Sequence, residues 1–240
     1  MRIAVVSDIH GNLTALEAIL ADLRLTSPDV VLHGGDLAAN GARPAEVVDR
    51  IRHYGWLGVC GNTDEMLWNA ENLRKLAARV PKLGSLLATI EETIPWTCAL
   101  LGEDRIGWLQ NLPFLQREGS AAIVHASPND LWQAPPPGAT DAALESVYGG
   151  LAVPIVVYGH IHQPFVRQVR GMTVANAGST SLSYDGDPRA SYLLVDGTEV
   201  RIRRVEYDVE REAQALTGSG LPHASWFCQV LRTGRYHPPA

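Results

Sequence analysis

Short apolar runs that stop on a polar residue recur along this chain, and each stop leads into a turn or a helix. Ile3-Ala4-Val5-Val6 ends on Ser7-Asp8, Val30-Val31-Leu32-His33 on Gly34-Gly35-Asp36, and Trp56-Leu57-Gly58-Val59-Cys60 on Gly61-Asn62. Unbroken apolar runs of this length, rich in β-branched residues, are strands covered on both faces, and strands alternating with helices build a parallel sheet. The intervening helices have clear boundaries. Asn12 stands as a cap before a stripe at 3.6-residue spacing through Leu13, Leu16, Ile19, Leu20 and Leu23, and Pro44 occupies the first turn of a second helix that runs to Arg52. The fold class is α/β.

From Glu65 to Leu112 the pattern turns helical, with segments over Glu65–Arg79, Lys82–Glu92 and Glu103–Asn111 separated by Pro81, Pro95 and Pro113. This stretch, residues 65–112, reads as a helical insert within a single domain spanning residues 1–240. It is expected either to cap a site or to form an interface between copies of the chain. Strand character returns at Ala121–His125 and Pro154–Tyr158, with a short helix at Asp141–Tyr148 between them. Phe165–Val169, Met172–Asn176, Ala190–Val195 and Glu199–Val205 then read as an antiparallel meander, with Asp196-Gly197 as its last turn. Beyond Asp208 there is one amphipathic turn around Trp226–Val230, to which no role attaches.

Composition narrows the function classes. With 240 residues, 46% of them apolar, the chain buries a large core, and its net charge of −6 offers no general attraction to a nucleic-acid backbone or an anionic membrane. Cys60, Cys98 and Cys228 are widely spaced and odd in number, as in a reducing compartment. The N-terminal apolar run is too short for a signal peptide, and no run approaches the roughly 18 apolar residues of a membrane helix. A cytoplasmic protein without membrane contact is expected.

The chemistry lies where the strands end. Asp8-Ile9-His10, Gly35-Asp36, Gly61-Asn62, His125 and Gly159-His160-Ile161-His162 all fall at the ends of strands, and the carboxyl ends of parallel strands converge on one crevice. Singly, each has an ordinary explanation as a cap or a turn residue. Together they supply two carboxylates, four imidazoles, one carboxamide and no thiolate. That set suits Mn²⁺, Fe, Zn²⁺, Co²⁺ or Ni²⁺ and disfavours a closed structural zinc site. Seven donors exceed the about four to six that one ion takes, and suffice for two if a carboxylate bridges. A paired divalent site is a device for phosphoryl chemistry, and a neutral Asn62 in place of a third carboxylate leaves it net positive toward phosphate. The glycines at 35, 61 and 159 are expected to turn the backbone so that the next side chain reaches the ions.

In this order and spacing these residues resemble the calcineurin-like metallophosphoesterase superfamily, over residues 1 to about 206. "SDIHGNLTALEAIL" and "GSTSLSYDGDPRASYLLVD" are similar to its small prokaryotic phosphodiesterase and protein-phosphatase-like branch. The resemblance implies a four-layer α/β/β/α sandwich of two mixed sheets. It also implies that Asp8, His10 and His162 hold one ion, that Asp36 bridges, and that Asn62, His125 and His160 hold the other. The implied reaction is attack of metal-bound hydroxide on phosphorus in a small phosphorylated substrate.

One position departs from the pattern. The superfamily usually has Gly-Asn-His-Asp or Gly-Asn-His-Glu, whose histidine protonates the leaving oxygen, whereas this chain has Thr63 before Asp64. A threonine hydroxyl does not donate a proton at neutral pH, so esters with good leaving groups, above all diesters, are the expected substrates. Thr63 and Asp64 join Asn62 as candidate catalytic residues. The alternatives are a monoesterase or protein phosphatase, a dinucleoside polyphosphate hydrolase, or an inactive protein-binding scaffold on the same fold, like the retromer subunit that resembles this family. Long DNA as substrate would require a basic groove, and a homo-oligomer is compatible with all of these. His33 is expected to be a packed core residue, and Arg201–Arg204 a solvated strand face.

Overall fold

In the computed structural model, which describes residues 1–239, alternate residues of the first strand, β1 (Arg2–Val6), face two different cores. Ile3 and Val5 join Ile123, Val157, Ala175 and Leu193 on one side. Ala4 and Val6 pack with Leu16, Ile19, Val47 and Ile51 on the other. Because both faces are covered, the run is apolar throughout instead of alternating with polar residues.

β1 is central in a sheet with β2 (Val30–His33), β3 (Leu57–Gly58), β9 (Ala190–Asp196) and β10 (Glu199–Val205), in the order β10-β9-β1-β2-β3. β1, β2 and β3 are parallel; β9 and β10 add antiparallel. The second sheet contains β4 (Leu115–Glu118), β5 (Ala121–Val124), β6 (Ile155–Tyr158), β7 (Phe165–Val169) and β8 (Met172–Asn176), in the order β4-β5-β6-β8-β7. The two sheets stack through the cluster that holds Ile3 and Ile123. Helices α1 (Leu13–Thr26), α2 (Pro44–Tyr54) and α6 (Ile94–Gln110) cover the first sheet. On the second sheet, α7 (Asp141–Tyr148) sets Leu144 and Tyr148 against Ala122, Val156 and Val174. The architecture is thus an α/β/β/α sandwich of two mixed sheets. No described helix is long and apolar enough to cross a membrane, and all three cysteines are free.

Local signals set the helix starts. Asn12 caps α1 by accepting from Ala15 N at 2.9 Å, and Pro44 opens α2. Other expectations need correction. The run 165–205 is not one meander: β7 and β8 form a hairpin in the second sheet, where β8 also runs parallel to β6, whereas β9 and β10 form a hairpin in the first. Turn residues fix each hairpin locally, but sheet membership follows from where residues 177–189 carry the chain. The helix drawn over Glu65–Arg79 is two helices, α3 (Asn62–Glu65) and α4 (Glu71–Arg79). The second insert segment is a 3-10 turn at Pro81–Leu83 followed by α5 (Gly84–Glu92). Pro95 does not separate segments: it sits in the first turn of α6, which continues to Gln110 through a kink at Gly102, φ 69°. Two C-terminal helices, α8 (Val209–Ser219) and α9 (Ala224–Thr233), replace the single turn read from the sequence.

Candidate metal centre

The loops after β1, β2, β3, β5 and β6 meet at one end of the sandwich and are tied together by backbone bonds. Asp8 N donates to Gly35 O at 3.0 Å, His10 N to Asp36 O at 2.9 Å and Gly159 N to His125 O at 2.9 Å. Asp8, His10, Asp36, His160 and His162 all have left-handed backbone, with φ between 48° and 67°. Asp and His are among the few non-glycine types that tolerate that region, and its sharp turns aim consecutive loop side chains at a common point. Of the three neighbouring glycines, only Gly35 has positive φ, at 86°. Gly61 and Gly159 are required for space instead: a Cβ on Gly61 would strike the Asp36 carboxylate, and one on Gly159 would strike Asp8 and Ser7.

All seven expected donors converge. Asp8, His10, Asp36 and His162 are buried, and each offers an atom within 4.8 Å of the others. His162 Nε2 is 3.0 Å from Asp8 Oδ1, and His10 Nε2 is 3.7 Å from Asp36 Oδ2. On the far side of Asp36, His125 Nε2 is 3.5 Å from its Oδ1. Asn62 Oδ1 is 2.8 Å from both His125 Nε2 and His160 Nδ1. Asp36 therefore turns one oxygen toward each group of donors.

Three rings are fixed from behind by carbonyls. His10 Nδ1 donates to Ala39 O at 3.0 Å, His125 Nδ1 to Gly34 O at 2.8 Å and His162 Nδ1 to Leu182 O at 2.6 Å. With Nδ1 carrying the proton, Nε2 of a neutral ring presents a lone pair inward. His10 Nε2 then faces His162 Nε2 at 3.2 Å. Acceptors opposed at such distances repel unless positive charge lies between them, so the donor set fits bound cations. Charge is unevenly divided among the rings. Burial holds His10 below the usual histidine range and, with His125 beside it, lowers His160 to about 4, so both rings keep lone pairs. Burial also opposes charge on His125, but the Asp36 and Asp8 carboxylates outweigh it and raise that ring. For Asp8, burial is likewise outweighed by the surrounding imidazoles, His162 foremost, and the carboxyl stays well below its ordinary value.

Thr63 is buried beside these donors and lines the cavity above them, and its hydroxyl has no hydrogen-bond partner among the described residues. Its backbone N–H donates to Asp36 Oδ1 at 2.9 Å. Asp64 is differently placed from what the sequence suggested. It does not line the cavity; its Oδ1 accepts from Leu37 N at 3.0 Å and its Oδ2 from Gly61 N at 3.1 Å. Burial, with Asp36 nearby, pushes its carboxyl up to about 7. Asp64 braces the loops that present Asp36 and Asn62 rather than touching a reacting atom. His33 is fully buried against Trp108, outside the site. Arg201, Arg203 and Arg204 pair with Glu199, Asp22 and Asp185.

The cavity, about 240 Å³, is walled by the insert and by residues of later elements that the sequence did not single out. Leu76, Leu83, Leu86, Leu87 and Ile90 come from the insert, and Trp226 and Phe227 from α9. Trp132 is held by Glu65, its Nε1 donating to Oε2 at 2.6 Å, and Tyr184 stacks on His162 with centroids 4.7 Å apart. Scattered tryptophans carry no periodic signal, and so they were indistinguishable from core residues.

A buried oxygen-and-imidazole donor set at the carboxyl ends of strands in an α/β/β/α sandwich defines a metal-dependent phosphoesterase. Residues 1–199 match the calcineurin-like phosphoesterase superfamily domain, and the chain belongs to that family. It is 30% identical over 256 residues to an uncharacterised protein of Methanocaldococcus jannaschii, covering 97% of this chain and 98% of the relative. It is 27% identical over 213 residues to phosphodiesterase YfcE of Escherichia coli K12, covering 82% and 88%. Among solved structures, a metallophosphoesterase from Sphaerobacter thermophilus aligns with a TM-score of 0.77 at 26% identity, covering 98% of this chain and 99% of that one. A hypothetical protein from Pyrococcus horikoshii aligns at 0.83 with 18% identity and the same coverage, a likeness of fold alone.

Proposed function

We propose that the chain is a phosphodiesterase that works with two divalent ions. Asp8, His10 and His162 would hold one ion, Asn62, His125 and His160 the other, and Asp36 would serve both. One observation carries this reading: oxygen and imidazole donors lie on both sides of Asp36, its Oδ2 3.7 Å from His10 Nε2 and its Oδ1 3.5 Å from His125 Nε2. When bound, such a pair of ions lowers the pKa of a water toward about 7 and offsets the negative charge of the phosphoryl group. Oxygen and imidazole donors without a thiolate suit Mn²⁺, Fe, Co²⁺, Ni²⁺ or Zn²⁺, and metal supply decides among them.

The chain's own residues would do the rest. Asn62 donates a neutral oxygen and so leaves the centre positive toward an anionic substrate. Thr63 lines the cavity, with its hydroxyl buried and unpartnered among the described residues. It does not deliver a proton to the departing alcohol, and Asp64 is turned away, so leaving groups that depart as stable anions are favoured. The insert and α9, which supply most of the apolar wall, act as a cap that excludes bulk water.

The test compares bis(p-nitrophenyl) phosphate with an alkyl monophosphate in the wild type and in Thr63→His. Restoring a general acid is expected to raise monoester turnover by about 10²-fold or more, and diester turnover far less. Equal changes on both substrates would remove the role assigned to Thr63.

A further inference from the structure

We propose that one organic group of the substrate is a short alkyl chain or a single aromatic ring, housed in the cavity above the metal centre; this rests on the two-ion reading just given. The floor of the cavity is His10, Asp36, Asn62, His160 and His162 with Thr63, and among the described residues Asn40 and Tyr184 add polar groups to a lining that is otherwise aliphatic and aromatic. The insert contributes aliphatic side chains, and the C-terminal hairpin contributes Trp226 and Phe227. No lysine or arginine among the described residues lines it. A single phosphoryl group has the ions to meet its charge. A second phosphate, or a carboxylate on the tail, would be desolvated against leucine and tryptophan with no counter-charge, which is costly. The adjoining groove, which shares Leu76, Trp132, His160 and Tyr184, is lined by Arg79, which does not line the cavity itself.

Size agrees with this assignment. An apolar cavity of about 150 Å³ accommodates benzene, so 240 Å³ accommodates one ring or a short chain next to the phosphoryl group. The walls are also braced. Glu65 fixes Trp132 and accepts from Asn72 Nδ2 of α4 at 3.1 Å, and Leu86 packs on the cluster that includes Leu182 and Phe227. The cap and the C-terminal hairpin therefore close on each other through apolar contacts, and the space between them selects apolar groups.

The experiment is calorimetric titration of the Mn²⁺-loaded protein with inorganic phosphate, methylphosphonate, butylphosphonate, phenylphosphonate and 3-phosphonopropionate, so the readout is binding and not turnover. Each methylene that enters an apolar site tightens binding by up to about fourfold. Butylphosphonate and phenylphosphonate are expected to bind at least about tenfold tighter than methylphosphonate, and 3-phosphonopropionate weaker than butylphosphonate. Leu86→Glu, a change at a half-buried wall position, is expected to collapse the butyl-to-methyl ratio toward one. Equal affinity for butyl- and methylphosphonate in the wild type, or a preference for the carboxylate tail, overturns the inference while leaving the two-ion reading intact. A loaded protein that binds none of the probes, inorganic phosphate included, overturns both.

Discussion

Of the seven converging donors, Asp8, His10, Asp36, His160 and His162 sit on left-handed backbone, a conformation that costs most residue types about 1–3 kcal/mol and that persists where the surroundings enforce it. The enforcement is visible in the bonds among the loops and in the two glycines that let carboxylates approach the backbone. Gly159→Ala is expected to displace Asp8 and weaken Mn²⁺ binding by about 10–100-fold, the usual effect of disturbing a ligand's support. Gly138→Ala, whose new methyl meets nothing within 4 Å, is the control, and calorimetric titration with Mn²⁺ reads both. The residues that converge were legible in the sequence because Asp-x-His and His-x-His at strand ends are uncommon patterns. The reason for the glycines was not legible: a glycine kept for space looks the same as one kept for φ until the neighbouring atoms are known. Asp64 was misread for a related reason, since a carboxylate beside a ligand can face either the site or the backbone.

At the scale of elements, β1, β2 and α1 announced themselves through apolar periodicity and caps, and α7 was readable to its ends, with Thr140 capping Asp141–Tyr148. β4 and α8 did not. β4, Leu115–Glu118, has a single apolar residue, Leu115, and so no alternation to read, and α8 carries few apolar residues, Ala213 and Leu216 among those buried. What anchors α8 is polar. Glu212 is fully buried and accepts from Thr14 Oγ1 at 2.6 Å and from Arg43, joining the C-terminal hairpin to α1 and to the start of α2. Removing one partner of a buried ion pair costs about 3–5 kcal/mol, and the Arg43 side chain retains 21% exposure, which favours the lower end. Glu212→Ala is expected to lower unfolding stability by about 3 kcal/mol in urea titrations, and, through α9, to loosen the wall formed by Trp226 and Phe227.

At the scale of the whole molecule, two sheets bury a common core and send five loops to one end, so residues far apart in sequence share one buried centre. The class of fold was legible because the parallel strands are apolar on both faces. The distribution of the later hairpins between the two sheets was not, since nothing local records which sheet a hairpin joins. The central claim concerns that shared centre, and the most direct measurement is a metal count on the metal-free chain titrated with Mn²⁺, read by calorimetry and by thermal unfolding. The account predicts two ions per chain and a midpoint raised by about 10–20 °C at a hundredfold excess over Kd, about twice the shift of a single ion, with Asn62→Ala retaining a single tight ion. One ion per chain in the wild type, or the same count in wild type and Asn62→Ala, would contradict it.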